Sequence, residues 1–262
     1  YSTWQYHDTD DFRGRSYGGI TYYPNKYTRL TINVLGDNRV GYVHINNQPT
    51  DFIIFEGTGT LTAANADFIT PDDFTDKRNW NDSYYGISKT SDERRYISNH
   101  RKSAIGNDTK SSGQVHNLTF NSGTIFAGTT KIENCSAIGG GGNGYGHVII
   151  NGGTVTAVAT TTGAAIGGGI GFTDVGGEGH VSIAGGNVYA YNFANRWDVP
   201  SSAIGGGGSK NSVGKLGNIN ISGGYVYAYS ALGTAIGGGS SQAKGGGNAE
   251  ITITGGQIIA KS

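Results

Sequence analysis

The side chains able to do chemistry are spread unevenly along this chain of 262 residues. From Ala104 to Ser262 only six acids occur: Asp108, Glu133, Asp174, Glu178, Asp198 and Glu250. Glycoside hydrolysis usually needs two carboxylates held at a defined separation. Most of these six fall in expected loops, and no pair recurs at matched positions. The densest acidic groups lie earlier, at His7-Asp8-x-Asp10-Asp11 and Asp72-Asp73-x-x-Asp76. Ca²⁺ prefers several oxygen ligands, but both runs read first as solvated turns. The six His residues lack metal-ligand spacing along the sequence, and lone His7, His100 or His147 reads as a surface or satisfied polar group. No Ser nucleophile elbow is present. The Gly runs lack the Lys-Ser/Thr of a phosphate loop. The expectation is a non-enzyme, with no catalytic residue, no metal and no cofactor.

Aromatic side chains form the stronger signal. One cluster lies between Ala64 and Lys102 and holds Trp80, Tyr84, Tyr85, Arg94 and Arg95, with Tyr96, His100 and Arg101 nearby. A second comprises Tyr189, Tyr191, Tyr225, Tyr227 and Tyr229, with Arg196 and Trp197 in the segment between them. Saccharide rings stack on Tyr and Trp while polar neighbours read their hydroxyls. The candidate ligand-binding residues are therefore Tyr189, Tyr191, Tyr225, Tyr227, Tyr229, Trp197, Trp80, Tyr84, Tyr85, Arg94 and Arg95. The competing reading is structural: stacked Tyr that stabilise their neighbours, and a flap that buries its own aromatics.

Placing those tyrosines requires the repeat. Ala-Ile-Gly recurs with its Ala at Ala104, Ala137, Ala165, Ala203 and Ala235, at spacings of 33, 28, 38 and 32 residues. A small residue precedes each copy: Ser103, Ser136, Ala164, Ser202 and Thr234. Downstream comes a second block, apolar-x-apolar-x-(Gly or Ser)-Gly-x-apolar-x-Ala, as in Val148 to Ala157, Val181 to Ala190, Ile219 to Ala228 and Ile251 to Ala260. The period within a block is two, which predicts strands. Each unit offers three short strands and is too small to bury an apolar face alone. Stacking in register gives the units one shared core. Val148, Val181, Ile219 and Ile251 are expected to form one inward column; Ile150, Ile183, Ile221 and Ile253 form the next. Phe126, Thr156, Tyr189, Tyr227 and Ile259 then point outward, because successive side chains alternate faces.

The predicted fold is all-β, a right-handed parallel β-helix of about 30 residues per coil. It is one domain over 1–262: irregular N-terminal coils over 1–63, a loop insertion over 64–102 and Gly-rich repeat coils over 103–262. Ile53 to Ala63 carries the second block with a longer turn, and Leu30-Thr-Ile32-Asn-Val34 reads as an earlier strand. A segment near 40 residues without the repeat pattern exceeds ordinary loop length, and such loops are often functional.

Composition narrows the classes further. Gly is 47 residues and Pro 4, with no three-residue period, so collagen is excluded. Net charge is zero, which offers no basic footprint for nucleic acid. No apolar run approaches the roughly 18 residues of a membrane helix, so no membrane insertion of this segment is expected. The single Cys135 cannot form an internal disulfide. The chain has no Met and shows no signal peptide at Tyr1, which predicts a segment of a larger chain.

Ala-Ile-Gly-Gly-Gly followed by Ile-x-Gly-Gly-x-Val-x-Ala resembles the Gly-rich repeats of large adhesin-like surface proteins of Gram-positive bacteria. The lead-in Val34-Leu-Gly36-Asp-Asn38, then Gly57-Thr-Gly59-Thr-Leu61, is similar too. The resemblance covers roughly residues 30–262. It implies an extracellular β-helix at the cell surface, with a glycan or host glycoprotein as partner, and supplies no catalytic motif. The alternatives are a stalk without ligand and, behind it, a polysaccharide lyase or hydrolase.

Overall fold

The computed structural model describes residues 19–22, 29–45, 52–64, 103–107, 115–129, 135–159, 163–171, 176–194 and 199–262. The alternating blocks are strands, as the period of two requires. Seven coils of three strands follow one another. The first holds β1 (Ile20–Tyr22), β2 (Arg29–Val34) and β3 (Asp37–Val40); the second β4 (Val43–Ile45), β5 (Phe52–Gly57) and β6 (Thr60–Ala64). The third holds β7 (Ile105–Asn107), β8 (Val115–Phe120) and β9 (Thr124–Thr129); the fourth β10 (Ile138–Gly139), β11 (Gly146–Ile150) and β12 (Thr154–Ala159). The fifth holds β13 (Ile166–Gly167), β14 (Gly179–Ile183) and β15 (Asn187–Asn192). The sixth holds β16 (Ile204–Gly205), β17 (Gly217–Ile221) and β18 (Tyr225–Ser230); the last β19 (Ile236–Gly237), β20 (Ala249–Ile253) and β21 (Gln257–Lys261). First, second and third strands each assemble into their own seven-stranded sheet. Every pairing between coils is parallel. The protein is a parallel β-helix with three faces. No helix among the described residues is long and apolar enough to cross a membrane.

The register follows the repeat residue by residue. Val148, Val181, Ile219 and Ile251 are successive partners, as are Ile150, Ile183, Ile221 and Ile253. On the third sheet Val155, Val188, Val226 and Ile258 line up beside Ala157, Ala190, Ala228 and Ala260. These columns fill one continuous core that runs into the N-terminal coils. There Phe55 stacks on Phe120 with centroids 4.9 Å apart, inside the solenoid. Burying each such side chain contributes roughly 1.5–3 kcal/mol. The last coil shows the columns end-on: Ile251 and Ile253 are 42% and 54% exposed.

The N-terminal coils lack Ala-Ile-Gly, yet β1 and β4 occupy its place: Ile20 pairs with Val43, and Val43 with Ile105. In the second coil Ile53 pairs with Leu118, Leu61 with Ile125 and Ala63 with Ala127, as the longer-turn reading expected. Strand β6 extends through Ala64, the first residue of the segment expected as an insertion. Residues 65–102 lie outside the described residues.

Two glycine positions set the cross-section. The second Gly of each pair turns the chain between sheets with positive φ, as at Gly153 (76°) and Gly186 (81°), a region open to Gly at no steric cost. The Gly of Ala-Ile-Gly is more constrained. Gly139, Gly167 and Gly205 have φ of 127°, 132° and 130°. A Cβ at each would run into the carbonyl oxygen of the matching Gly in the next coil. The small residue before Ala-Ile-Gly also acquires a role. Ser136, Ser202 and Thr234 donate their hydroxyls to the carbonyls of Gly140, Gly206 and Gly238, at 2.8, 2.8 and 2.9 Å. At Ala164, which has no hydroxyl, the Gly168 carbonyl accepts from the Ala164 amide at 3.1 Å. Buried carbonyls at this corner are thereby satisfied, as burial demands.

Gly167→Ala is expected to cost about 3 kcal/mol or more, from backbone strain plus collision with the Gly205 carbonyl. Gly36→Ala is the control. Gly36 also has positive φ (65°), but nothing lies within 4 Å of its added Cβ, so only about 1 kcal/mol is expected. Urea unfolding of the two variants reads the difference; equal losses would contradict the close-packed corner.

Candidate functional site

The outer face of the third sheet carries the tyrosines. In β15 the inward residues Val188, Ala190 and Asn192 are buried, while Tyr189 and Tyr191 are half-buried. In β18 Val226, Ala228 and Ser230 are buried, and Tyr225, Tyr227 and Tyr229 are half-buried. Alternation of faces and the register of Tyr189 with Tyr227 and Tyr191 with Tyr229 bring all five together. The backbone under them is fixed from inside. Asn192 Nδ2 donates to the carbonyls of Gly163 (2.9 Å) and Ser202 (3.1 Å), and its Oδ1 accepts the Ala194 amide (3.0 Å). Ser230 Oγ donates to the Ser201 carbonyl at 3.0 Å.

The rings do not stack on their direct partners. Each leans diagonally: Tyr189 to Tyr225 at 5.7 Å, Tyr191 to Tyr227 at 5.6 Å, and Phe193 to Tyr229 at 5.3 Å between centroids. Tyr191 and Phe193 lie parallel, 5.6 Å apart with planes 4° from coplanar orientation. These are the offset and tilted arrangements that ring quadrupoles prefer. Phe193 was missed by the sequence reading, which stopped at Tyr191. The signal was present, since Tyr189-x-Tyr191-x-Phe193 continues the alternation one step past the strand. Lys261 adds a cation, with Nζ 5.4 Å from the Tyr227 ring centroid.

The outward column is less exposed than alternation alone suggests. Phe126 and Val158 are buried, in an apolar cluster with Ala64 against which Tyr191 and Phe193 pack. The aromatic face is therefore the continuation of a second, outer apolar cluster, and its accessible part is concentrated on the fifth and sixth coils. Of the other candidates, Trp80, Tyr84, Tyr85, Arg94, Arg95 and Trp197 lie outside the described residues, as do both acidic runs. Among the described residues, no group of three or more His, Cys, Asp and Glu could hold a metal ion.

Fold and face together define a parallel β-helix bearing a six-ring aromatic patch on one outer sheet. No family model, curated protein or solved structure matches the chain.

Burial at the centre of the patch shows in the chemistry of Tyr191. Its phenol titrates above the usual range, chiefly through desolvation, then through the neighbouring phenols of Tyr227, Tyr189 and Tyr225. A raised pKa means the folded state holds this proton longer than the unfolded one. Its stabilising contribution is intact below the ordinary Tyr value, about 10, and is lost as pH rises through the folded value. Melting temperatures measured from neutral to strongly alkaline pH should fall less steeply above about pH 10 in Tyr191→Phe than in the parent. Tyr145, also raised by burial and then by Glu178, contributes equally to both proteins. Superimposable alkaline profiles would contradict the buried setting of Tyr191.

Proposed function

We propose that this chain is a non-catalytic binding segment of a bacterial cell-surface protein, extracellular and part of a larger chain, that recognises a glycan or glycoprotein. The observation that carries the reading is the contiguous patch of Tyr189, Tyr191, Phe193, Tyr225, Tyr227 and Tyr229 on a rigid sheet. Its rings are half-buried and so present partly accessible faces to solvent. Contiguous exposed apolar surface marks interaction sites, and rigid elements hold such a surface at little entropic cost. Sugar rings present C–H faces suited to these π-systems, and the five phenolic hydroxyls are placed to meet ring hydroxyls. The resemblance of the Gly-rich repeats to those of adhesin-like Gram-positive surface proteins supports the location. It also supports the expectation of a host glycan.

A second reading has its own support. The same rings touch one another at 5.3–5.7 Å, so the patch also works as a ladder that ties the fifth coil to the sixth. In that case the segment is a stalk that projects other domains and binds nothing itself. A lyase or hydrolase reading gains no support from Glu178 and Glu250, the only acids described on the Gly-rich coils.

The double substitution of Tyr189 and Tyr227 by Ser separates the two. On a glycan array and with immobilised mucins, the parent is expected to bind and the variant to lose at least tenfold in affinity with its fold retained. A variant that loses melting temperature, from a parent that binds no glycan or glycoprotein, would establish the stalk. An unchanged variant in both respects would defeat both readings.

A further inference from the structure

The face of the seventh coil turned away from the sixth is built as one half of an interface. Strands β19, β20 and β21 are each the outermost strand of their sheet, so each presents a row of unpaired backbone N–H and C=O groups. Burial is lost abruptly along the inward columns. Ile219 and Ile221 are 1% and 0% exposed, while their register partners Ile251 and Ile253 are 42% and 54% exposed. Ile236 and Ile258 are only partly buried against the core. An apolar end does not by itself identify its cover; the glycines of this coil do.

At Gly139, Gly167 and Gly205 the carbonyl oxygen of the following coil fills the place of a Cβ. Gly237 holds the same register position with φ of 151°. Yet the nearest atom to an added Cβ there is Thr234 Oγ1, at 3.5 Å and within its own coil. The contrast repeats at Gly176, Gly214 and Gly246. These three are in line, because Gly179 pairs with Gly217 and Gly217 with Ala249. A Cβ on Gly176 would run into the Gly208 carbonyl, and one on Gly214 into the Gly239 carbonyl, both in the next coil. On Gly246 it would meet nothing nearer than 3.6 Å. Glycine surrenders more conformational freedom on folding than any other residue, and at Gly246 neither φ nor space requires it. Both positions carry the residue that a coil stacked upon them would demand.

We propose that this face binds a further Gly-rich coil of the same three-strand pattern, stacked in parallel register on β19, β20 and β21 with a glycine carbonyl over Gly237. The contact is strand addition to a sheet edge, made on three sheets at once, and it continues the interface that already joins each coil to the next. The partner is thereby specified: a small residue and Ala-Ile-Gly at the corner, and apolar residues opposite Ile251, Ile253 and Ile258. One position departs from the pattern. Ala249 stands in register with Gly146, Gly179 and Gly217, where a Cβ would run into the next coil's carbonyl. The third coil carries Val115 at that place and still takes the fourth, through a register shift between Gly146 and Val148. A coil on the seventh meets Ala249 in the same way. The aromatic patch and its proposed ligand play no part in this contact.

The test compares the parent chain with one extended after Ser262 by a second copy of residues 231–262. That copy supplies the coil in frame, since Lys261 is the register partner of Tyr229. Hydrogen exchange at the β20 amides should slow by about tenfold or more in the extended chain, and its melting temperature should rise. Gly246→Ala should leave the melting temperature of the parent unchanged and lower that of the extended chain. Ile253→Ser should likewise cost the extended chain more than the parent. Unprotected β20 amides in the extended chain, or equal effects of Gly246→Ala in both chains, would overturn the proposal. So would parent dimers, seen by analytical ultracentrifugation and dissolved by Ile253→Lys, because the face would then be taken by a second copy and not by a stacked coil.

Discussion

The solenoid depends on carbonyl oxygens occupying the space where Cβ atoms would otherwise stand. At Gly106, Gly139, Gly167 and Gly205 the oxygen of the next coil fills that position. Nothing larger than hydrogen fits there, so each of these coils carries glycine at the same point, whereas the second coil has His44 at that register position. This contact brings the strands of the first sheet, only two residues long in the Gly-rich coils, close enough to pair. Without it the corner would open and the Ile column of that sheet would lose its cover. Hydroxyls from Ser and Thr then satisfy carbonyls that burial cuts off from water, an arrangement that matters because an unpaired buried carbonyl costs more than a made hydrogen bond returns.

Backbone close packing at one corner frees the other two faces. The inward positions of the second and third sheets are chiefly Val, Ile, Leu, Phe and Ala, which fill the core, with hydrogen-bonded Asn192 and Ser230 at the ends of β15 and β18. The outward positions answer to no such demand, and the chemistry-bearing residues gather there. The tyrosines occupy one outer face, and His147 and His180, register partners on β11 and β14, stand on the other. Neither group required any change in the core beneath it: Val188 and Val226 under the tyrosines are the same residue as Val155 in a coil that carries Thr156 instead.

Much of this was legible in the residues. The Ala-Ile-Gly spacing and the two-residue alternation gave the three strands per unit, the inward columns and the register, because a period of two and a recurring glycine leave one way to stack. The strands of the first sheet at Ile20–Tyr22 and Val43–Ile45 were not legible. They carry no Ala-Ile-Gly, and only pairing with β7 reveals their place. The diagonal ring contacts were equally hidden, since side-chain lean is set by rotamers and not by register. The depth of Phe126 and Val158 was missed because alternation tells inside from outside, and says nothing of an apolar cluster on the outside.

One row of hydrogen bonds in the glycine corner has an electrical consequence. It links Gly144, Gly169, Gly177, Gly207, Lys215, Gly239 and Gly247, each amide donating to the carbonyl before it at 2.6–3.3 Å. Every donor lies later in the chain than its acceptor. Ordinary sheet ladders alternate the sense of their peptide dipoles and nearly cancel; this row does not. Peptide moments of about 3.5 D each add head to tail, and each bond polarises the next. The row thus carries a moment of one fixed sense, written by chain direction alone and lengthened by each added repeat, while the neighbouring bonds from Gly140, Gly168 and Gly206 to Gly167, Gly205 and Gly237 run the opposite way and oppose it.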